Sequence, residues 1–455
     1  PKLKDSNCLD KVLDENNSAY VDSFFSYLTS QLYHNSKFSH GLDFYGTFTA
    51  IQNKHICNIF EDLEYLYDSK FFHRNKDKLF DVDYIDENRF LESDTRNYKQ
   101  KLKINKEDNI NLDVDNFDDT VFENIFELTE ENVNNHNNIN NEIWKSKNNK
   151  SFQDQSHKKT NSTCSSRSSN TNDEEDEDDE ELGDSEEDSD LSGYSSSSDE
   201  EIIQAYIKDF PVQIICLEKM ENTLDFLMES KNEFMTNKQW KSCLFQIIMT
   251  LITYQKVFDF THNDLHTNNI MWNKTDRKFI NYKYDNKYYR VPTYGRIFKI
   301  IDFGRSIYRF QDKIICSDSY HQRGDAATQY NFEPYFNPKK PRLEPNKSFD
   351  LCRLACSLYD YFMDDEEDED NIQNPVTQVI DVWIRDDKKR NILYKNNGEE
   401  RYPDFKLYKM IARTVHNHTP QEAIKHIFFS NYMSSKRKIK KGKIINIDDM
   451  QPMFI

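Results

Sequence analysis

The chain has 455 residues, of which 36% are hydrophobic and 31% charged, and its formal net charge at pH 7 is −20. No apolar run approaches the ~18 residues that a membrane-spanning helix requires, and the eight dispersed cysteines form no C-x-x-C pair. These features exclude a membrane-spanning protein and a disulfide-stapled secreted domain, and they favour a reduced, intracellular protein.

In the amino-terminal part, apolar residues at helical spacing predict an amphipathic helix over Ser18–Tyr33. Residues 44–48 are typical of a strand, and the apolar region 56–67 is ambiguous. The stretch 134–200 is rich in Asn, Ser, Asp and Glu, and fourteen of the eighteen residues from Asp173 to Asp190 are acidic. Such a composition buries too little apolar surface to offset the entropy of ordering, so we predict a disordered acidic insertion.

Order is predicted to resume with a strand over Val212–Leu217, followed by a short helix from Thr223. Thr236 and Gln239 form a capping box, which predicts the start of a core helix. Apolar residues repeat along that helix at Trp240, Cys243, Leu244, Ile247, Ile248, Leu251 and Ile252. Alternation around Asp285-Asn286 predicts an inserted hairpin over 279–291. Ser348 is predicted to cap a further helix.

Two motifs separated by this hairpin carry the chemistry. The first is T-H-N-D-L-H-T-N-N-I-M-W from Thr261 to Trp272, and the second is Asp302-Phe303-Gly304 after the apolar run 297–301. Asp264 supplies a proton acceptor, and Asn269 and Asp302 supply the hard oxygen ligands that magnesium prefers. The apolar run and residues 270–272 are predicted to be partner strands, which would place both metal ligands on one platform. This set of residues indicates phosphoryl transfer.

The order of elements and these motifs resemble the eukaryotic-type protein kinase superfamily from about Ser18 to about Ile427. Strings such as Y-G-R-I-F-K-I-I-D-F-G-R and S-D-S-Y-H-Q-R-G-D-A-A-T-Q-Y-N-F-E-P are similar to serine/threonine kinases of giant DNA viruses of the mimivirus kind. The resemblance implies a bilobal α+β fold that uses ATP and Mg²⁺. It implies Asp264 and Asn269 as catalytic residues, Asn269 and Asp302 as metal ligands, and Glu218 with the backbone of Met220 as the adenine contacts. Leu217 would be the gatekeeper, and Asp350 would hydrogen-bond the backbone of the catalytic loop.

The resemblance divides the chain into a partial amino-terminal lobe (1–133), the acidic insertion (134–200), a hinge with the carboxy-terminal lobe (201–430) and a basic tail (431–455). Several family features are missing. The sequence has no glycine-rich phosphate loop, and its phosphate-binding lysine cannot be placed, with Lys2 and Lys4 as the nearest candidates. Asp22 is the one candidate for the helical glutamate. Because the chain starts at Pro1, we expect either missing upstream strands or a degenerate lobe.

Three functions compete at this stage. A serine/threonine protein kinase is favoured by D-F-G and by the helix that begins near Asp350. A small-molecule phosphotransferase is suggested by His266, which stands where serine/threonine protein kinases usually carry lysine and which resembles the D-L-H-x-x-N of small-molecule kinases. A pseudokinase scaffold that binds basic partners through its acidic insertion would explain the missing lysine and glycines. Phosphorylation within that insertion would make its charge more negative.

The basic run 436–441 is most simply a solvated tail, so nucleic acid is not an expected partner. We expect a soluble protein of host cytoplasm or virion.

Asn263 stands where many protein kinases have an arginine that pairs with a phosphorylated activation segment. A carboxamide offers hydrogen bonds but no charge, so phosphate would gain little differential affinity for the active arrangement. We therefore expect activity without phosphorylation between Gly304 and Asp350, unless Arg305 or Arg323 replaces the missing arginine.

Overall fold

The computed structural model describes residues 10–60, 63, 66, 69–83, 203–230, 234–363, 372–439 and 444–454. The predicted acidic insertion and the candidates Lys2 and Lys4 lie outside these residues. The described helices are α1 (Asp10–Leu13), α2 (Ser18–Ser36), α3 (Lys70–Asn75), α4 (Leu224–Glu229), α5 (Asn237–Phe258), α6 (Phe349–Phe362), α7 (Pro375–Trp383), α8 (Phe405–Thr414) and α9 (Pro420–Ala423).

The strands are β1 (Phe44–Asn58), β2 (Phe80–Val82), β3 (Gln204–Leu217), β4 (Asn222–Thr223), β5 (Ile270–Lys274), β6 (Phe279–Tyr284), β7 (Lys287–Pro292), β8 (Arg296–Ile300), β9 (Ile307–Phe310), β10 (Lys313–Cys316), β11 (Met433–Ser434) and β12 (Ile444–Asn446). They form sheets of order β1-β3-β2, β4-β5-β8, β11-β7-β6-β12 and β10-β9. This mixture of helix and sheet is the α+β class expected from the sequence. No helix in the described part of the chain has the length and hydrophobicity needed to cross a bilayer.

The chain divides into two compact units. The described residues of the smaller unit, from within 57–83 and 203–205, pack around Ile59, Leu63, Phe72 and Ala205. The larger unit takes the remaining described residues, and α5 lies at the centre of its core. Both halves of the predicted capping box at Thr236 and Gln239 are present, and Trp240 and Leu251 are buried. This helix therefore forms as its sequence indicates, and it leads directly to the first motif.

The inserted hairpin is confirmed as β6 and β7. Asp285 and Asn286 adopt φ values of 52° and 56°, the left-handed conformation that a two-residue hairpin turn requires. The sheet is wider than the hairpin alone, because β11 pairs with β7 and β12 lies parallel to β6. The segment 431–455, read from sequence as a basic tail, thus contributes two strands.

The helix predicted to be capped by Ser348 is present as α6, but the expected side-chain cap is wrong. Ser348 occupies the N-cap position without a side-chain hydrogen bond to the first turn. Its Oγ instead accepts a hydrogen bond from the His418 backbone N, 3.2 Å away. The hydroxyl therefore joins α6 to a later loop, and it is Asp350 in the first turn that has the functional contact described below.

A buried histidine links the loop after α2 to two strands. His40 is fully buried, with Nδ1 2.7 Å from the Phe298 carbonyl oxygen and Nε2 2.7 Å from the Tyr282 hydroxyl. Burial lowers the pKa of His40 to about 4, although the Phe298 contact opposes the shift. Its imidazole is therefore neutral in the folded protein at pH 7.

This buried imidazole predicts a specific loss of stability in acid. Between pH ~6.5, the usual histidine pKa, and pH about 4, the unfolded chain binds a proton at His40 that the folded chain does not. The free energy of unfolding should therefore fall as the pH falls through this window, by up to about 1.4 kcal/mol per pH unit from this group. Urea unfolding at pH 7 and pH 5 measures the effect. His40→Gln should show a smaller fall than the wild type, whereas His321→Gln, on an exposed loop, should not. Equal falls in all three proteins would contradict the assignment.

Candidate active site

The first motif forms a loop held from beneath by a buried carboxylate. Asp350, fully buried at the start of α6, accepts hydrogen bonds from the His262 backbone N at 3.0 and 3.1 Å and from the Asn263 backbone N at 2.9 Å. Burial raises the pKa of Asp350, and the same backbone donors oppose that shift. The loop conformation is thus fixed by contacts between residues almost ninety positions apart.

The loop brings Asp264 and Asn269 together. The Asn269 side-chain Nδ2 donates to the Asp264 carbonyl oxygen at 3.0 Å, which leaves the amide oxygen Oδ1 as the atom available to a ligand. The side chain of Asp264 is 17% exposed, so its carboxylate is sheltered but reachable. Burial alone would raise the pKa of Asp264, but Arg305 and Arg353, helped by His266 and Tyr408, lower it below its usual value. Asp264 is therefore ionised at neutral pH, as a proton acceptor must be.

The second motif is aligned with the first through a strand pair. β5 and β8 are antiparallel with Ile270 opposite Ile300, as the sequence predicted. The ladder continues one residue further, where the Ile301 backbone N donates to the Asn269 carbonyl oxygen at 3.0 Å. Asp302 follows immediately. The two candidate metal ligands therefore leave adjacent strand ends.

Asp302 itself is exposed and adopts φ 62°, a left-handed conformation that aspartate tolerates better than most residues. Its Oδ1 accepts a hydrogen bond from the Gly304 backbone N at 3.3 Å. Phe303 points the other way and is fully buried, with its ring 4.6 Å from Phe25 and 5.7 Å from His262. The buried phenyl ring fixes the direction of the exposed carboxylate.

Helix α2 contacts this motif through Asp22, the one acid that the sequence offered for the helical glutamate. Its Oδ1 accepts a hydrogen bond from the Phe303 backbone N at 3.0 Å. Burial raises the pKa of Asp22 to about 6, and the nearby Asp302 adds to the rise. In the described residues Asp22 therefore holds the Asp302-Phe303 backbone.

His266 lies in the same loop and is 8% exposed. Burial, reinforced by Arg353, lowers the pKa of His266 to about 4, so the ring is neutral at pH 7. Its Nδ1 has no hydrogen-bond partner among the residues that the structure describes. The position therefore offers a neutral polar atom where a lysine would offer a positive charge.

The predicted adenine contacts lie at the end of β3. The Glu218 side chain is engaged on both oxygens, because Oε1 accepts from the Asp43 backbone N at 2.9 Å and from Lys299 Nζ at 2.5 Å, and Oε2 accepts from Asn273 Nδ2 at 2.6 Å. The Glu218 backbone N also donates to the Asp43 carbonyl oxygen at 2.9 Å, which leaves the Glu218 carbonyl oxygen as the part that can meet a base. Leu217 and Met220 are half-buried and pack against the core. All three stay predictions as nucleotide contacts.

Comparison with known proteins finds partial relatives that are named as protein kinases. No family model matches the chain. It is 37% identical over 116 residues to a "Probable serine/threonine-protein kinase" of Dictyostelium discoideum, which covers 24% of this chain and 9% of that protein. It is 29% identical over 150 residues to a protein of Acanthamoeba polyphaga mimivirus provisionally named a serine/threonine-protein kinase, covering 31% of this chain and 34% of that protein. A kinase-like relationship is suggested, and the mixture of helix and sheet in the structure is compatible with a kinase-like fold.

The segment after Asp302-Phe303-Gly304 is held by contacts of two of its carboxylates. Asp318 accepts from the Ser18 backbone N at the start of α2 at 3.0 Å, and its other oxygen lies 3.2 Å from Lys11 Nζ. The Arg305 guanidinium pairs with Asp325 at 2.7 Å. Carboxylates of this segment thus hold it to the start of α2, to Lys11 and to Arg305.

Asn263 stands at the position where many protein kinases have an arginine. It is fully buried, and its backbone φ is 64°. Its Oδ1 accepts from the Tyr330 hydroxyl at 2.8 Å and its Nδ2 donates to the Arg305 carbonyl oxygen at 3.2 Å. The alternatives that Arg305 or Arg323 takes over the arginine's role stay predictions. The Arg305 guanidinium is paired with the Asp325 carboxylate.

These contacts predict that activity does not depend on phosphorylation between Gly304 and Asp350. Two candidate acceptors in that segment, Ser317 and Tyr320, are buried. Phosphatase-treated and untreated enzyme should therefore turn over at rates within about twofold of each other. A tenfold loss on dephosphorylation, a coupling of about 1.4 kcal/mol, would show that phosphate controls the segment.

Proposed function

We propose that the chain is a protein kinase that transfers the γ-phosphate of ATP to serine or threonine hydroxyls. The observation that carries the proposal is the joint placement of Asp264, Asn269 and Asp302. One loop fixes the first two against each other, and the β5–β8 pair places the third beside them. The provisional kinase names of the partial relatives support the same class.

Asn269 and Asp302 suit magnesium. The amide oxygen of Asn269 and the exposed carboxylate of Asp302 are hard oxygen donors, and magnesium commonly takes only one or two protein ligands besides phosphate and water. No cluster of three or more His, Cys, Asp or Glu side chains that could hold a metal occurs within the described residues. When bound, magnesium would neutralise charge on the nucleotide phosphates.

The remaining steps belong to the chain itself. Asp264 would accept the proton of the acceptor hydroxyl, since its carboxylate is ionised and partly exposed. Asp350 would hold the loop backbone, and Phe303 with Asp22 would keep Asp302 directed outward. Backbone groups near Glu218 and Met220 would receive the adenine.

The test is phosphate transfer from γ-labelled ATP with magnesium to dephosphorylated casein, to histone and to the protein itself. We expect labelled phosphoserine or phosphothreonine after acid hydrolysis. The Asp264→Asn variant, prepared in parallel, separates this activity from a contaminating kinase. If the wild type transfers no label to any protein, the proposed function fails. Nucleotide binding without transfer would then favour the pseudokinase.

A small-molecule phosphotransferase is the second candidate, and His266 is the observation that favours it. Its buried Nδ1 has no hydrogen-bond partner within the described part of the chain, and its neutral ring adds no charge beside the site at which a small molecule would receive the phosphate. Magnesium-dependent ATP turnover on addition of amino alcohols or amino sugars, with no label on protein, would establish this alternative.

A further inference from the structure

The carboxylate of Asp264 is contacted by a side chain from a distant helix. Tyr408, on α8, donates its hydroxyl hydrogen to Asp264 Oδ1 across 2.7 Å. The same hydroxyl oxygen accepts a hydrogen bond from Arg353 Nε at 3.0 Å. The chain of donors therefore runs from a guanidinium on α6 through a phenol to the carboxylate.

Tyr408 is held in place from several sides. It is 5% exposed, and its ring stacks on Phe405 at 5.3 Å and lies 6.0 Å from Phe349. The guanidinium of Arg353 lies 5.2 Å from the ring centroid and that of Arg305 lies 5.6 Å from it. An aromatic ring that is buried between helices and two cations has little freedom to rotate away. The packing therefore keeps the Tyr408 hydroxyl in contact with Asp264.

The hydrogen bond from Tyr408 makes the two carboxylate oxygens of Asp264 different from each other. Oδ1 is occupied by the phenol, whereas Oδ2 lies 3.9 Å from Arg305 Nη1, beyond hydrogen-bond distance. A substrate hydroxyl that approaches Asp264 can therefore donate to Oδ2 without displacing a short hydrogen bond. A carboxylate free to rotate would present either oxygen, and fewer of its orientations would be productive.

We propose that Tyr408 is the positioning residue of the catalytic base, fixing the rotamer of Asp264 so that Oδ2 faces the acceptor hydroxyl. This inference rests on the proposed function. Tyr408 touches neither substrate nor nucleotide in this account, and it acts only through Asp264. The opposite reading is that its hydroxyl occupies the acceptor's position and blocks the site.

Tyr408→Phe removes the hydroxyl and keeps the ring. We expect kcat to fall at least tenfold while KM for ATP stays within twofold, because nucleotide contacts lie elsewhere. Tyr394→Phe is the matched control: its hydroxyl also donates to a carboxylate, Asp360, at 2.9 Å, but on the exposed surface. This control should leave kcat and KM unchanged. An unchanged kcat in Tyr408→Phe would overturn the proposal, and so would a rise, which would indicate a blocking hydroxyl.

A second measurement does not depend on turnover. Melting temperatures of the wild type, Tyr408→Phe, Asp264→Ala and the double variant form a double-mutant cycle, in which alanine is used because an asparagine could still accept the Tyr408 hydrogen bond. If Tyr408 holds Asp264, removing the hydroxyl should lower the melting temperature in the wild type and much less in the Asp264→Ala background. Tyr394→Phe should be additive with Asp264→Ala. Additivity for Tyr408 as well would overturn the proposal.

The two failures can be told apart. If the wild type shows no phosphate transfer to any acceptor, the proposed function fails, and the melting cycle alone decides whether Tyr408 holds Asp264. If transfer occurs and the cycle is additive, the function stands and the role of Tyr408 fails.

Discussion

Replacing Asp264 with asparagine is expected to lower kcat for phosphate transfer by about 10²- to 10⁴-fold, the usual contribution of a general base. The change is nearly isosteric, and the Asn269 side chain contacts the Asp264 backbone rather than its carboxylate. The loop should therefore keep its shape, and ATP affinity should be little changed. Initial rates with labelled ATP, together with equilibrium binding of a fluorescent ATP analogue, measure the two quantities separately.

Asp302→Ala should have the complementary effect, in which magnesium-dependent nucleotide binding is lost along with turnover. Its carboxylate is exposed and its described hydrogen bond is to the local Gly304 backbone, so alanine should not unfold the core. Asp312→Ala, at the exposed turn between β9 and β10, is the control for removing a surface acid. If both Asp264→Asn and Asp302→Ala kept wild-type rates, neither residue would have its assigned role.

The parts of this site that sequence could predict are those coded by neighbouring residues. The capping box at Thr236 and Gln239 predicts the start of α5, and Asp285-Asn286 predicts the hairpin turn. Each prediction is possible because the structure depends on the side chains of a few adjacent residues. The apolar run 297–301 before Asp302 likewise predicts β8, and residues 270–272 predict its partner strand. Local chemistry was sufficient to place the candidate base and the metal ligands.

What sequence could not supply are the contacts that join distant segments. Tyr408 reaches Asp264 across 144 positions, and its own neighbourhood reads as an ordinary amphipathic helix. Strands β11 and β12 are two and three residues long and flank a basic run, so their pairing with β7 and β6 has no periodic signal. Arg305 was visible beside the second motif, but nothing local indicated its partner Asp325.

Lys299, which contacts the residue after β3, is a second case in which the sequence does not reveal a contact between distant segments. Lys299 lies in an apolar strand, where its charge suggests exposure, yet its side chain is 3% exposed. Its Nζ donates to Glu218 Oε1 and to the Gly41 carbonyl oxygen, the latter at 2.7 Å. The loop that carries Gly41 can lie close to helix α2 because glycine has no side chain. A Cβ at this position would lie 2.4 Å from the Thr29 carbonyl oxygen. One ion pair thus ties the loop after α2 and the end of β3 to β8.

Lys299→Met is expected to lower the free energy of unfolding by about 3–5 kcal/mol, the usual cost of removing one partner of a buried ion pair. Burial lowers the pKa of Lys299 and Glu218 opposes that shift, so the charge on Lys299 depends on Glu218. The Glu218 side chain is 14% exposed, and without the ammonium no opposite charge among the described residues would contact its carboxylate. Urea unfolding followed by circular dichroism measures the loss.

The double variant Lys299→Met/Glu218→Gln should recover much of that loss, because a neutral amide needs no counter-charge and its oxygen can still accept from the Asp43 backbone N. Lys274→Met is the matched control: Lys274 Nζ also lies 3.2 Å from a glutamate, Glu221, but with 74% and 41% of the two side chains exposed. A surface pair of this kind contributes about 0–1 kcal/mol. If Lys299→Met cost no more than Lys274→Met, or if the double variant were as unstable as the single one, an uncompensated Glu218 charge could not be the cause.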